Sequence, residues 1–509
     1  MRILVFHGYL LRGTGSNIYN ANLARALAGL GHEVHLFCQD RDASEFEWVD
    51  AVGDWDEGEL EVRGTGNETG APGSVTVYRP PIGTLLPVYV EDRYEGFEAR
   101  AFPSLAEEEI DRYVEVNVAA VREVVARVGE PDAALANHLV MAPVILARAG
   151  IPAFAVKNHG SDLEYTVRPN PRFVPWASEG LEAAASVLVG SRHTAESLWE
   201  VVPDLGLEQK TGLGPPGVDP KRFHPIDRSD APRILAGLAD RIAAGEADSA
   251  LGRDSGRAST ALRDFGLATG PRVVFVGKLI VSKGVDLLLA AWPLVHRENP
   301  GSRLLVAGFG EYADALLELL ASLEQGDVDA ARSIAARGRE PEGGPPGRLA
   351  MLDRFLVDLP AGYREAAVDS AGSVLFTGRL EHDEVASLVP TADAMVVPST
   401  FPEAFGMVAA EAAASGAMPV CARHSGLEEV TATLADDVPG AAPFLSFELG
   451  QEAIPGIASR LNGWLGARPE ARRATEIELA ESADGHWSWE GVARDVIRAS
   501  AGEVRPLPG

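Results

Sequence analysis

The sequence predicts an α/β protein built from two doubly wound domains in tandem, each a parallel sheet with helices on both faces. The first observation is a regular alternation of short apolar runs with segments of helical spacing. The second is that this alternation stops near residues 213–225, in a polar interval with Pro and Gly, and then starts again. The third is the length of 509 residues, which exceeds one ordinary core. Strands that alternate with helices are typical of parallel sheets.

The first domain opens with a β-α-β pattern. The run at 2–6, RILVF, predicts a strand, and the segment that follows Gly13 and Gly15 has the apolar spacing of a helix. Gly31 is expected to end this helix, and EVHLF at 33–37 predicts the next strand. Later strands are predicted at 133–136, 153–156 and 186–190.

The second domain repeats the pattern, with strands predicted at 272–277, 303–308, 373–378 and 394–399. We therefore place the domains at 1–215 and 216–485, with a final helical segment, 486–509, that returns toward the first domain. Its tryptophans, Trp487 and Trp489, need an apolar surface to pack against. Three segments rich in Gly, Pro and charge do not fit the alternation and are interpreted as surface insertions: 51–74, 236–268 and 324–370.

Composition excludes several classes of protein. The formal charge of −29 disfavours nucleic acid and anionic membrane surfaces as partners. No apolar run approaches the roughly 18 residues of a membrane span, and the opening MRILVF is too short for a signal-peptide core. The two cysteines, Cys38 and Cys421, suggest neither a disulfide framework nor a metal site. We expect a cytoplasmic protein with no transmembrane segment and at most peripheral membrane contact.

Ligands of open α/β sheets bind where strands end, so the loops after the predicted strands are the places to search. One of them carries FPEAFGMVAAEAAASG, residues 401–416, with Glu403 before an Ala-rich helix and Glu411 inside it. The helix N-terminus suits a phosphate or a developing anion. Glu403 can reach a ligand held there, and Glu411 can accept hydrogen bonds from a diol. An ordinary amphipathic helix with a capping glutamate is the alternative.

Two further loops carry candidate residues. Only five of the 45 cationic side chains are lysines, and Lys278 and Lys283 share one strand-to-helix loop, where two cations can hold a diphosphate leaving group without a metal. His159, in KNHGSD after a strand, can exchange a hydrogen bond or a proton with a sugar hydroxyl. A solvated loop and a structural histidine are the respective alternatives. Asn137-His138 is a weaker candidate, and we attach no weight to the acidic pair Asp54 and Asp56.

Several stretches together resemble the retaining, nucleotide-sugar-dependent glycosyltransferases of family 4. They are GTGSNIYNANLARALAGLGHEVHLF, NHGSDLEY, PPGVDPKRFHP, VGKLIVSKGVDLLLAAW and VLFTGRLEHDEVASLVPTADAMVVPSTFPEAFGMVAAEAAASG. Each piece is degenerate, whereas their order and completeness are specific. The resemblance implies the GT-B fold, two Rossmann-like domains that face each other across a cleft, with the acceptor on the first domain and the nucleotide sugar on the second.

The resemblance also implies roles for single residues. Catalytic roles fall to His159, near the reacting face of the sugar, to Lys283, on the diphosphate, and to Glu403, on the sugar hydroxyls. Glu411 binds the ribose. Lys278 assists Lys283, although the family usually has arginine there. The remaining expected contacts are made by Gly15, in the loop that closes over the donor, by the backbone of Phe405, Gly406 and Met407 on sugar and phosphates, and by Gly378, Arg379 and Leu380 around the base.

The activity implied is transfer of a hexose-type sugar, with retention, from a UDP- or GDP-type donor to a sugar, lipid-linked or small-molecule acceptor, in glycan, glycolipid or glycoconjugate synthesis. The residues require no metal and no cofactor beyond the donor substrate. Two alternatives stay open. One is a non-catalytic, hydrolase-like or epimerase-like GT-B protein that binds nucleotide sugars. The other is a glycogen-type glucan synthase, although Arg12 precedes Gly13 where those enzymes carry a lysine-bearing glycine loop.

Overall fold

The computed structural model describes residues 1–13, 15–89, 96–203, 205–245 and 253–508. The chain forms two compact units. The first comprises Met1–Gly217 together with Trp487–Gly509, and the second comprises Val218–His486. The tryptophan-bearing tail is thus part of the first unit.

The first unit is organised by a sheet in the strand order β11-β10-β9-β8-β1-β2-β5-β3-β4. All paired strands in it are parallel except the β3–β4 hairpin. The short strands β6 and β7 pair separately and in parallel. The strands are β1 (Arg2–Phe6), β2 (Glu33–Phe37), β3 (Ala51–Asp56), β4 (Glu59–Gly64), β5 (Ser74–Arg79), β6 (Leu85–Val88), β7 (Glu98–Ala101), β8 (Ala133–Asn137), β9 (Ala155–Lys157), β10 (Ser186–Val189) and β11 (Thr211–Leu213).

Helices cover both faces of this sheet, because its central strands are apolar on both sides. On one face the helices of the chain's start and end lie together, and Trp489 packs edge-on against Tyr19 with ring centroids 5.6 Å apart. The helices are α1 (Gly15–Gly29), α2 (Glu107–Val128), α3 (Ala142–Ala149), α4 (Val174–Ala183), α5 (Arg192–Val201) and α18 (Trp489–Ser500).

The second unit contains a parallel sheet in the order β14-β13-β12-β15-β16-β17. Its strands are β12 (Arg272–Val276), β13 (Arg303–Ala307), β14 (Val374–Gly378), β15 (Ala394–Val397), β16 (Met418–Ala422) and β17 (Ser446–Phe447). Its helices are α6 (Ala231–Ala243), α7 (Ser255–Gly266), α8 (Val285–Glu298), α9 (Ala313–Glu324), α10 (Val328–Arg337), α11 (Ala350–Val357), α12 (Tyr363–Asp369), α13 (His382–Leu388), α14 (Met407–Ala414), α15 (Ser425–Asp437), α16 (Ala453–Leu465) and α17 (Pro469–Trp487).

The three segments interpreted as surface insertions contain regular secondary structure. Residues 51–74 supply the hairpin β3–β4, which extends the first sheet by its edge, and the first residue of β5. Its charged side chains are those of an edge strand that faces water, which masked the strand in the sequence. The segments 236–268 and 324–370 are largely helical and bury apolar faces of α6, α7, α10 and α12, although residues 246–252 lie outside the described chain.

The strand orders locate the sites where ligands can bind. In the first sheet β1 lies between β8 and β2, and in the second β12 lies between β15 and β13. The chain therefore leaves in opposite directions from β1 and β8, and from β12 and β15, which opens a crevice at the carboxyl ends of each pair. No helix in the described chain is long and apolar enough to cross a bilayer.

Candidate functional site

In the second unit, an ion pair lies at the crevice between β12 and β15. The loop after β12 carries Lys283, and its Nζ donates a hydrogen bond to Oε1 of Glu403, on the loop after β15. The hydroxyl of Ser399 donates to the same carboxylate oxygen at 2.6 Å. Both charged side chains stay accessible, with 30% of Lys283 and 22% of Glu403 exposed. The pair is thus held at the surface of the crevice, where a ligand can reach it.

Electrostatics keep Glu403 ionised. Burial alone would raise its pKa, but the ammonium of Lys283 and the hydroxyl of Ser399 outweigh burial, so that the pKa lies below its ordinary value. The backbone N–H of Glu403 donates to Oγ of Ser425 at 2.9 Å, and Nδ1 of His424 lies 3.0 Å from that hydroxyl. The carboxylate is therefore fixed at both its side chain and its backbone.

A glycine allows these two loops to approach each other. Gly284 has φ +65°, and a Cβ at this residue would lie 2.0 Å from the carbonyl oxygen of Pro398, at the start of the loop after β15. A side chain here would separate the loops. Close packing of the backbone thus brings Lys283 to Glu403 across 120 residues of chain. A second glycine, Gly406, has φ +106° and lets the Glu403 loop pack against α15, where a Cβ would lie 2.5 Å from a methyl carbon of Leu427.

Glu411 lies in the middle of α14, which begins directly after Gly406. Its side chain is buried, and Oε1 lies 2.7 Å from Nε2 of His382, the first residue of α13. At the N-terminus of α14, Met407 is partly exposed, and the first N–H groups of a helix have no intrahelical acceptor. Phe405 and Gly406 are buried just before it. The helix can therefore offer backbone donors at its end and a carboxylate one turn further along.

The end of β14 lies on the other side of β12 and β13. Gly378 ends the strand with φ +73°, and Arg379 and Leu380 follow, both partly exposed. The guanidinium of Arg379 lies 5.0 Å from the ring centroid of Phe309, an exposed aromatic after β13. The backbone at the end of β14 thus lies next to the stacked side chains of Arg379 and Phe309. Lys278 lies partly exposed on the same loop as Lys283.

In the first unit, histidine and asparagine side chains lie at the crevice between β1 and β8. His159, after β9, is partly exposed, and its Nε2 lies 2.9 Å from Oδ1 of Asn137 at the end of β8. Its pKa is lowered well below the ordinary value by burial and by His138, Lys157 and His7. His159 is therefore a neutral imidazole. Gly15, in the loop before this crevice, is exposed and begins α1.

Sequence reasoning missed several members of both sites. Asn137 was noted only together with His138, and nothing in the sequence marked Asn20, Ser399, His424 or His382. The order of the strands was the available signal, since each of these residues except Asn20 lies at a strand end or on a nearby turn. In the acidic pair of 51–74, Asp54 accepts two 2.7 Å hydrogen bonds from Arg79. No group of three or more potential metal ligands occurs among the described residues.

Two family descriptions match the chain. Residues 14–204 match the Glycosyl transferase 4-like domain, and residues 366–436 match Glycosyl transferases group 1. These ranges contain Asn137 and His159 in the first unit and, in the second unit, the end of β14, Glu403 and Glu411.

Similar proteins point the same way. The glycogen synthase of Mycobacterium tuberculosis is 28% identical over 244 residues, which cover 47% of this chain and 46% of that protein. A GDP-mannose-dependent alpha-(1-6)-phosphatidylinositol monomannoside mannosyltransferase of Mycolicibacterium smegmatis is 26% identical over 251 residues, covering 48% and 55%. The chain thus spans about half the length of the curated relatives it matches.

The solved structures show the same architecture over the whole chain. The catalytic domain of starch synthase IV from Arabidopsis thaliana, bound to ADP and acarbose, superposes with a TM-score of 0.58 at 14% identity. The superposition covers 98% of each chain. At this level of identity the likeness concerns the fold.

Proposed function

Because this chain belongs to the group 1 (family 4) glycosyltransferases with the GT-B fold, we propose that it transfers a hexose-type sugar, with retention, from a nucleoside-diphosphate sugar to an acceptor hydroxyl. The observation that carries the proposal is the accessible Lys283–Glu403 pair at the crevice of the second sheet, with Glu411 on the helix that follows. A cation and two carboxylates match a ligand that is anionic in its diphosphate and rich in hydroxyls at both ends.

Each group has a defined task in this proposal. Lys283, assisted by Lys278, neutralises the diphosphate as it leaves, which is the largest electrostatic demand of the reaction. Glu403 accepts hydrogen bonds from sugar hydroxyls, and its lowered pKa keeps it an acceptor at neutral pH. Glu411 accepts from the ribose. The N–H groups at the start of α14 bind the sugar and phosphates, and the backbone of residues 378–380 meets the base.

Retention follows in the proposal from geometry. The acceptor hydroxyl attacks the face from which the diphosphate departs, so that its proton passes to the leaving phosphate oxygen. The protein then supplies positioning and charge stabilisation, and no side chain forms a bond to the sugar. Lys278 is a point charge where the family commonly has a planar guanidinium, so one bidentate phosphate contact is replaced by a single one.

The donor is of the UDP or GDP type in this proposal, and the mannosyltransferase relative, which its name describes as GDP-mannose-dependent, favours testing GDP-mannose first. A second candidate, a glucan synthase, is favoured by the similarity to glycogen synthase. Arg12, which donates to Glu45 at 3.1 Å, occupies the β1–α1 loop where a phosphate-binding lysine would be expected for that activity.

The test is a transfer assay with UDP-glucose, GDP-mannose and ADP-glucose, each offered glycogen, myo-inositol phosphates or a lipid-linked sugar. Release of nucleoside diphosphate that depends on one acceptor, with the anomeric configuration of the donor kept in the product by NMR, supports the proposal. Elongation of glycogen supports the second candidate instead. Binding of a nucleotide sugar without acceptor-dependent release, or release with inversion, contradicts transfer with retention.

A further inference from the structure

A chain of buried amide and imidazole groups runs under His159 in the first unit. It consists of side chains from β1, α1 and β8 that are at most 2% exposed: His7, Asn17, Asn20 and Asn137. None of them has a role in the proposed transfer. A buried neutral cluster of this kind must have each donor facing an acceptor, so its hydrogen positions can be deduced.

Backbone carbonyls fix the orientation of each amide, because a carbonyl can only accept. Nδ2 of Asn137 donates to the carbonyl of Phe6 at 3.1 Å and to Oδ1 of Asn20 at 2.7 Å. Its own Oδ1 must therefore be the atom that faces His159 at 2.9 Å. An amide oxygen has no proton to give, so Nε2 of His159 carries the hydrogen.

The β1–α1 loop and the first turn of α1 hold the other end of this chain of side chains. Nδ2 of Asn17 donates to the carbonyl of Arg12 at 2.7 Å, and Nδ2 of Asn20 donates to that of Ser16 at 2.9 Å. Between them, Nε2 of His7 contacts Oδ1 of Asn17 at 3.0 Å, and its Nδ1 accepts from Asn20 at 3.0 Å. His7 is thus neutral, and burial together with His138 lowers its pKa to about 3.

Since the proton lies on Nε2, the other ring nitrogen of His159 is a bare acceptor. Among the described residues the ring makes its hydrogen bond through Nε2, and the His159 side chain is partly exposed. The groups that face the ring are His7 after β1, Tyr19 on α1, His138 after β8 and Lys157 on β9. None of these groups is an acid. The buried carboxylate of Asp162 lies behind them, 3.8 Å from Nδ1 of His138, and accepts from the backbone N–H of Leu139. Burial, together with His138, Lys157 and His7, disfavours protonation of the His159 ring.

We propose that Asn20 and Asn137 are positioning residues that hold His159 in the neutral tautomer with its proton on Nε2. His159 then presents Nδ1 as a hydrogen-bond acceptor. A bare nitrogen selects a ligand group that donates, namely a hydroxyl, and repels phosphate or carboxylate oxygens. His159 therefore binds a sugar hydroxyl without taking its proton. The identity of the ligand rests on the proposed function, whereas the tautomer does not.

The test is ¹⁵N NMR of the full chain with labelled histidine, in which the signals of His159 are identified by their loss in His159→Gln. We expect an Nε2 with its proton and an unprotonated Nδ1 throughout the neutral pH range. A proton on Nδ1 at neutral pH, as the other tautomer or as imidazolium, overturns the proposal. This readout needs neither substrate nor activity, so it is independent of whether the chain is a transferase.

A variant makes the test sharper. Asn137→Asp places a carboxylate against Nε2, and we expect the pH at which Nδ1 of His159 becomes protonated to rise by about one to three units. The matched control is Asn117→Asp, because Asn117 is 1% exposed and only donates to the carbonyl of Tyr113 in α2. An equal titration of His159 in wild type and Asn137→Asp contradicts the proposal. Where Asn137→Asp does not fold, the protonation of Nδ1 of His159 in the wild type and in Asn137→Ala still tests the proposal.

Discussion

Replacement of Glu411 by glutamine tests the proposed nucleotide site most directly. The substitution keeps the size of the side chain and one acceptor oxygen but removes the charge. Hydrogen bonds to a charged group contribute roughly 1.5–3 kcal/mol each, and we expect Glu411→Gln to lose about 2–3 kcal/mol of nucleotide binding in total. This corresponds to a Kd that is roughly 30- to 150-fold higher.

The assay is thermal unfolding with and without UDP, GDP or ADP. At a nucleotide concentration of 100 times the wild-type Kd, the wild type gains about 2.7 kcal/mol, whereas the variant gains only about 0.3–0.9 kcal/mol. With roughly 2–4 °C per kcal/mol, the melting temperature rises by about 5–11 °C in the wild type and by about 1–4 °C in Glu411→Gln.

The matched control is Glu476→Gln. Glu476 is a carboxylate of the same unit, only 4% exposed, which pairs with Arg228 and Arg473 near Gly416, beyond the other end of α14. Glu476→Gln lowers the stability of the ligand-free protein, as Glu411→Gln does by weakening the contact with His382. It leaves the rise in melting temperature on nucleotide binding unchanged. A shift in Glu411→Gln that equals those of the wild type and the control refutes the ribose contact.

Three further outcomes are expected. Lys283→Met lowers kcat/KM of transfer roughly 10²- to 10³-fold, because it removes charge stabilisation of the leaving diphosphate. The control is Lys221→Met, at an exposed lysine, which should change kcat/KM little. Equal rates in the two variants contradict the role of Lys283. Asp286→Asn alters how stability depends on pH: burial raises the pKa of Asp286 from 3.8 to about 7, so the stability that its native state gains by holding the proton is complete below pH 3.8 and lost as pH rises through about 7. At about pH 8 the free energy of unfolding of the variant should therefore exceed that of the wild type, by up to roughly 4 kcal/mol. In acid the two free energies should converge. A difference that stays constant across pH contradicts the raised pKa. Chelation with EDTA should leave the transfer rate unchanged, and a loss that Mg²⁺ restores contradicts the metal-independent proposal.

The sequence predicted those parts of the fold that have a strong local signal. The strands at 2–6, 33–37, 133–136, 272–277 and 303–308 are confirmed, because each is an apolar run between turn residues. The hairpin β3–β4 was missed since its residues alternate with charge and face water along one edge. Strand β16, Met418–Ala422, was missed because it follows α14 after only three residues, where two buried elements merge into one apolar stretch.

The candidate site divides in the same manner. Charged residues that are rare or oddly spaced, such as Lys283 and Glu411, could be found in the sequence. A charged side chain in apolar surroundings is uncommon unless it has a partner, so it indicates a candidate site. The direct contact between Lys283 and Glu403 could not, since it depends on the approach of two loops far apart in the chain. The amides under His159 carry no charge and no spacing, and only their buried contacts reveal them.

The two crevices also differ in how their polar side chains are hydrogen-bonded in the absence of a ligand. In the first, amide and imidazole side chains bind one another and their hydrogen bonds end on backbone carbonyls, so the network can remain unchanged while His159 accepts a hydroxyl. In the second, Lys283 and Glu403 hold each other. In the proposed transfer, a bound diphosphate draws the ammonium away and frees the carboxylate for the sugar hydroxyls. We therefore expect the ion pair to couple recognition of the phosphate to recognition of the sugar. A nucleoside diphosphate without its sugar would leave Glu403 with a vacant acceptor, and we expect it to bind less well than the intact donor.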